Sequence, residues 1–313
     1  MPAIAATAPG KIILFGEHAV VYGRPAIAVP VTQVRAKVMI NADPAAPSGQ
    51  VSLIAEDIDL RCKLSDLPAD HPLEIAIRGV MEQLGVARLP ALRLQIQSTI
   101  PIASGLGSGA AVSVAAARAL SAFLGHPLAD DQVSHIAYTV DQKYHGTPSG
   151  IDNTVIAYAQ PVFFVRGQPF QRLCTRQPFT VVIGNTGVSS PTSEVVGDVR
   201  RRWQADSGRY EQLFDAIGQI ALQARAAIEV GPVGALGPLM TRNQALLQEL
   251  DVSSPALDRL VEAALSAGAL GAKLCGGGRG GNMIAPVEQQ HAQTVADALR
   301  AAGAVNTIIT TIS

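Results

Sequence analysis

An α+β fold is what the sequence predicts, and three observations carry that prediction. Strand-like and helix-like stretches follow one another irregularly, without the strict alternation of a doubly wound parallel sheet. Hydrophobic residues make up 48% of the 313 positions and charged residues only 16%, enough apolar material for a substantial core. No internal repeat or low-complexity linker interrupts the chain. A soft boundary falls around 167–180, and we divide the chain into 1–170 and 171–313.

Taken in order, GKIILFGEHAVVYG (10–23) opens as an apolar strand, Ile12 to Phe15. Lys11 precedes it, and Glu17 and His18 follow straight after Gly16. A cation, a carboxylate and an imidazole around one buried-looking strand need a chemical reason. PAIAVPVTQVRAKVMI (25–40) is rich in Val and Ile and reads as a strand, 41–50 as a loop, and 51–64 as a return to strand alternation. HPLEIAIRGVMEQLG (71–85) has helical spacing and a terminal glycine. ALRLQIQSTIP (91–101) alternates like a half-buried strand. Residues 105–125 run from a glycine-rich turn into a helix, and 131–146 form another. Strands at 161–167 and 179–185 precede a largely helical stretch, 193–250. An amphipathic helix at 254–268 has Ser253 or Ser254 as its cap. A glycine-rich turn runs into a strand over 271–287, and a last helix (292–303) and strand close the chain.

A formal net charge of −1 gives no global field toward nucleic acid or an anionic membrane. Cys62, Cys174 and Cys275 are far apart and form no C-x-x-C, which argues against a disulfide scaffold or a zinc site and suits a reducing cytoplasm. The N-terminus lacks a basic leader, and Pro9, Gly10 and Lys11 break it, so no signal peptide is expected. The Ala-rich 110–125 stretch contains Arg118 and is too short to span a bilayer. These features predict a soluble cytoplasmic protein.

Three stretches carry chemistry. In PIASGLGSGAA (101–111), glycines let backbone amides approach a ligand, and the following helix adds its unpaired N–H groups and positive dipole end. Together these suit an anion such as phosphate, although a plain strand-to-helix turn explains the glycines equally well. GGGRGG (276–281) matches G-x-G-x-x-G, but a strand follows it where a dinucleotide fingerprint needs a helix. A glycine loop against a nucleotide or the other domain fits better. In HGTPSGIDN (145–153), Asp152 stands just past a turn, where an Asp is most often a turn cap. Asp141 and His145 lie at i, i+4 on one helix face. No Walker sequence and no G-x-S-x-G elbow is present.

As a set, APGKIILFGEHAVVYG, PIASGLGSGAA and KLCGGGRGG resemble, in order, the three motifs of the GHMP small-molecule kinases. GEHAVVYG, HGTPSGIDN and SSPALDRLVEAALSAGALGAKL are most similar to the branch of that family that phosphorylates mevalonate. The Asp-Tyr pair that usually follows G-E-H in galactokinases is absent. The resemblance implies two domains, the first like domain 2 of ribosomal protein S5 and the second ferredoxin-like. It implies ATP-dependent phosphorylation of the primary hydroxyl of (R)-mevalonate, with Mg²⁺. A sibling activity on another hydroxyl of mevalonate or its phosphate, on a sugar or on homoserine is the alternative. Expected partners are ATP, mevalonate and a second copy of the chain.

By the same resemblance, Lys11 and Asp152 are catalytic. Lys11 lowers the hydroxyl pKa and offsets transition-state charge, and Asp152 takes or orients the hydroxyl proton. Glu17 and His18 line the substrate site. Pro101, Gly105, Leu106, Gly107, Ser108, Gly109, Ala110 and Ala111 hold ATP. Gly276, Gly277, Gly278, Arg279 and Gly280 form a loop closing a cleft that holds both substrates. Two positions depart from the family pattern. Gly109 stands where a second serine is common after GLG, leaving Ser108 as the hydroxyl ligand of Mg²⁺. Asp141 stands where the acidic ligand is usually a glutamate.

Overall fold

The computed structural model describes residues 3–101, 104–145, 148–189 and 192–313, with Tyr144 and His145 described by backbone alone. The chain forms two compact units, and each is assembled from separate stretches. The first comprises Met1–Gly10, Val34–Pro101 and Gly107–Ala159. The second comprises Lys11–Gln33, Ile102–Leu106 and Gln160–Ser313. Strands β1 (Ile4–Phe15) and β2 (Ala26–Ala42), which pair with each other, run from one set of stretches into the other.

Strand β1 begins at Ile4, well before the apolar run at Ile12, because IAATA alternates in burial as an edge of sheet should. In the first unit β2 pairs antiparallel with β5 (Leu92–Ser98), Val38 opposite Ile96. Strand β5 pairs parallel with β3 (Val51–Ala55), and β3 antiparallel with β4 (Leu60–Lys63). The continuous strand expected over 51–64 is therefore broken. A short 3₁₀ turn at Glu56–Ile58 and a left-handed Asp59 (φ 51°) reverse the chain, a conformation Asp tolerates.

Four helices, α1 (Pro72–Leu84), α2 (Ser108–Phe123), α3 (Asp130–His145) and α4 (Ile151–Tyr158), pack on one another in this unit. Helix α1 starts with Pro72 and a His71 ring nitrogen accepting from the Leu73 amide at 3.2 Å, and it stops at Gly85 (φ 64°). The turn-like HGTPSGIDN motif leads straight into α4, a helix the sequence reading had not assigned.

In the second unit the start of β2 pairs with β6 (Val162–Phe164), which pairs with β7 (Gln171–Arg172). A four-stranded antiparallel sheet has the order β11 (Asn306–Ile312), β8 (Phe179–Asn185), β10 (Asn282–Val287), β9 (Lys273–Cys275). Three helices, α5 (Thr192–Ala205), α6 (Ser207–Glu229) and α7 (Leu236–Glu249), fill the helical stretch. Helices α8 (Pro255–Ser266) and α9 (Ala292–Ala301) lie against the sheet. Val182, Leu274 and Met283 meet Leu257, Leu260, Val295 and Leu299 in its core. The α8 cap is Ser254, whose hydroxyl accepts from the Leu257 amide at 3.4 Å.

Candidate active site

In the second unit, β1 carries Lys11, 4% exposed, whose amide donates to the Leu106 carbonyl at 2.9 Å. That bond ties the strand to the first half of the 105–109 turn. The Asn282 side chain donates to the Ser104 carbonyl just before it. Gly105 (φ 81°) begins the turn and Leu106 is buried.

At the end of β1 the chain reverses abruptly. The Glu17 carbonyl accepts from the Ala19 amide at 2.7 Å, with His18 between them at φ 61°, ψ −50°. This is the γ-turn of positive φ, the rare and strained form. Such conformations cost of order 1–3 kcal/mol and persist where the surroundings over-determine them. Three links do so here. The Lys273 ammonium on β9 ion-pairs with Glu17, both side chains being fully enclosed. Its Nζ also donates to the Leu274 carbonyl at 2.7 Å. His18 Nε2 donates to the Gly277 carbonyl at 3.0 Å, and the Cys275 thiol donates to the Ile13 carbonyl at 3.4 Å.

The electrostatics follow from enclosure. Burial holds the His18 pKa down at about 4, with the Arg279 and Lys273 charges acting in the same direction, so the ring is neutral. With Nε2 as donor, Nδ1 is the acceptor of that tautomer. Burial raises the Glu17 pKa, and Lys273 and Lys11 pull against it. The Cys275 thiol is pushed up to about 11 by burial and is inert. Glu17 Oε2 has no hydrogen-bond partner among the described residues.

The loop Gly276, Gly277, Gly278, Arg279, Gly280 joins β9 to β10. The Arg279 amide donates to the Val252 carbonyl at 2.7 Å, and the Gly281 amide to the Val188 carbonyl at 2.9 Å. Arg279 itself has positive φ (58°), and its guanidinium reaches Asp198 and the Asp251 carbonyl.

In the first unit, Gly107 (φ 76°) caps α2, and Ser108, Gly109, Ala110 and Ala111 form its first turn, which holds no acidic residue. The positive end of the helix dipole is therefore not offset there. Pro101 is half-buried ahead of the turn. Asp152 is the second residue of α4, after Gly150 (φ 90°) as cap. Asp141 lies nearly buried on α3. Its proposed helix neighbour His145 has no described side chain, and Gly146 and Thr147 of the motif lie outside the described residues. Among the described residues no group of three His, Cys, Asp or Glu side chains converges. The two donors expected from the sequence, the Ser108 hydroxyl and the Asp141 carboxylate, lie on helices α2 and α3 of the first unit. Two hard oxygens suit Mg²⁺, which keeps several waters and takes its remaining ligands from phosphates.

The family model for the GHMP kinases N-terminal domain matches residues 72–160, and that for the GHMP kinases C-terminal domain matches 224–305. The chain belongs to the GHMP kinases. Among curated GHMP kinases it is 34% identical to a mevalonate kinase of Pyrococcus horikoshii over 335 aligned residues, covering 96% of this chain and 93% of the relative. It is 36% identical to a mevalonate kinase of Pyrococcus furiosus over 324 residues, with the same coverage, 96% and 93%. The crystal structure of L. major mevalonate kinase in complex with R-mevalonate superposes with a TM-score of 0.85 at 30% identity, covering 99% of this chain and 95% of that one. The GHMP kinase motifs thus occupy defined places: the GEH turn and the third motif interlock in one unit, while Ser108, Asp141 and Asp152 belong to the other. Lys273 escaped the sequence reading. Its signal was present, a lysine embedded in the otherwise apolar GAKLCG.

Proposed function

We propose that this GHMP kinase transfers the γ-phosphoryl group of ATP to the primary hydroxyl of (R)-mevalonate, giving 5-phosphomevalonate and ADP. The observation that carries this reading is identity above 30% to mevalonate kinases over 96% of the chain. Phosphoryl transfer asks the protein mainly for positioning and for charge where charge develops. Lys11 supplies the cation beside the reacting hydroxyl, and Asp152 takes or orients its proton. Glu17 and His18 contact the mevalonate skeleton. The 105–111 turn holds the phosphates of ATP with backbone amides, and the 276–280 loop serves as the cleft loop. Ser108 and Asp141 would hold Mg²⁺, which would neutralise phosphate charge. The division at 170/171, a cytoplasmic location and a homodimer complete the reading. Among the described residues no helix is long and apolar enough to cross a membrane, and sedimentation tests the dimer.

Phosphorus NMR of the product from mevalonate and ATP tests the reaction, since a 5-phosphate couples to a CH₂ and a 3-phosphate does not. A 3-phosphate, or no product, overturns the reading. Asp152→Asn is expected to fold as the parent does and to lose roughly 10²–10⁴-fold in kcat. Near-parental turnover removes Asp152 from the chemistry.

A further inference from the structure

We propose that Lys273 is a positioning residue of this reaction, holding the Glu17–His18 turn in its strained shape through a buried ion pair and so setting where the His18 ring and Glu17 point. The inference rests on the mevalonate reading above and assigns a role to a residue whose side chain is fully enclosed by the protein.

Six observations support it. Lys273 and Glu17 are both fully enclosed, in a setting where a charge persists only with a partner. Their pair joins two stretches of the second unit distant in sequence, β9 and the end of β1. Glu17 is the residue whose carbonyl closes the γ-turn, so fixing its side chain fixes one end of the strained segment. The pair also uses one carboxylate oxygen only. Oε2 is buried and has no hydrogen-bond partner among the described residues. The Lys273 bond to the Leu274 carbonyl anchors the ammonium to its own strand, so the lysine works as a fixed strut. The ring of His18, bonded to Gly277 in the loop after β9, points where that strut puts it.

A double-mutant cycle with Glu17 tests this. Lys273→Met leaves the Glu17 carboxyl without its cation, and Glu17→Gln leaves the Lys273 side chain without its carboxylate. Lys273→Met is expected to raise the KM for mevalonate at least ~10-fold, with the KM for ATP within about twofold. Adding Lys273→Met to Glu17→Gln is expected to change the mevalonate KM less than about threefold, because the strut then has nothing to hold. Lys273→Arg, which keeps the cation, is expected to fall between the parent and Lys273→Met. Losses that multiply in the double variant, or a folded Lys273→Met with parental KM for both substrates, overturn the proposal. If Lys273→Met does not fold, the uncharged Glu17→Gln/Lys273→Met pair carries the test, and a parental mevalonate KM there overturns it equally. Parental protein that makes no phosphomevalonate sinks the functional reading instead, an outcome the cycle cannot mimic.

Discussion

Two glycine-rich turns look alike in the sequence and differ in what the glycines are for. At Gly105 and Gly109 of the first, a β-carbon would meet nothing within 4 Å among the described residues. At Gly278 of the second it would sit 1.9 Å from the Val252 carbonyl oxygen, and at Gly280 2.6 Å from that of Val188. At Gly277 it would press on Thr192, 3.1 Å from its hydroxyl oxygen. The first turn is open on the side where a side chain would go. The second is closed by the protein's own backbone. Glycine density therefore marks two physical situations, a backbone with open space beside it and a backbone packed against the chain itself.

The largest expected effect follows from the closed turn. Gly278→Ala combines positive φ (80°) with a clash against main chain that cannot rotate away, and it strains the Arg279–Val252 bond beside it. A loss of roughly 3 kcal/mol or more is expected in urea unfolding. Gly105→Ala, at nearly the same φ (81°) but without the clash, is the control and is expected to lose only about 1–2 kcal/mol. Equal losses for the two would erase the distinction between the turns.

The next effect concerns how the closed turn is attached. The Gly277 carbonyl is held by His18, whose imidazole titrates at about 4 when folded and near 6.5 when free. Between those values the unfolded chain binds more protons. The contribution to stability is thus complete above about pH 6.5 and is lost as pH falls through 4. Going from pH 7 to pH 5 is expected to cost about 2 kcal/mol from this one group. His18→Asn removes the titration and tolerates positive φ. The raised pKa of Glu17 is common to both chains and drops out of the comparison. Parallel stability curves for parent and variant would show that the imidazole does not couple to folding. The open turn has no titrating attachment of this kind in its first helical turn, which lacks acidic residues.

Much of this was legible in the sequence where one residue type has one dominant reason to be there. Gly85 after a helical repeat stops α1, Ser254 before Pro255 starts α8, and the Val/Ile-rich 25–40 stretch is β2. The motif residues were legible as a set through family resemblance. Less legible were features that depend on contacts distant in sequence. Nothing in GEHAVV announces a γ-turn, because φ 61° with ψ −50° lies outside the left-handed region that His does visit, and the links that impose it come from β9 and the loop after it. Lys273 read as part of a motif until its enclosure required a carboxylate, and Glu17 supplied it. The break in 51–64 was written in EDID, a cluster suited to turning, yet strand alternation on both sides hid it.

The smallest effect on stability is the sharpest test of the open turn. Gly109 is the second residue of α2, in ordinary helical backbone rather than at positive φ. Alanine there gains helix propensity, up to about 1 kcal/mol, and meets no neighbour among the described residues. Gly109→Ala is therefore expected to match the parent in urea unfolding or to exceed it slightly. If the turn cradles phosphate with backbone amides, the added methyl group stands where the phosphate oxygens approach. The KM for ATP is then expected to rise by ~10-fold, about 1.4 kcal/mol of binding, while the KM for mevalonate stays within about twofold. A more stable enzyme with weaker use of ATP is a combination that a mere helix start does not produce. A variant equally stable or more so, with an unchanged KM for ATP, would reduce Gly105–Gly109 to a strand-to-helix turn and place the phosphates elsewhere.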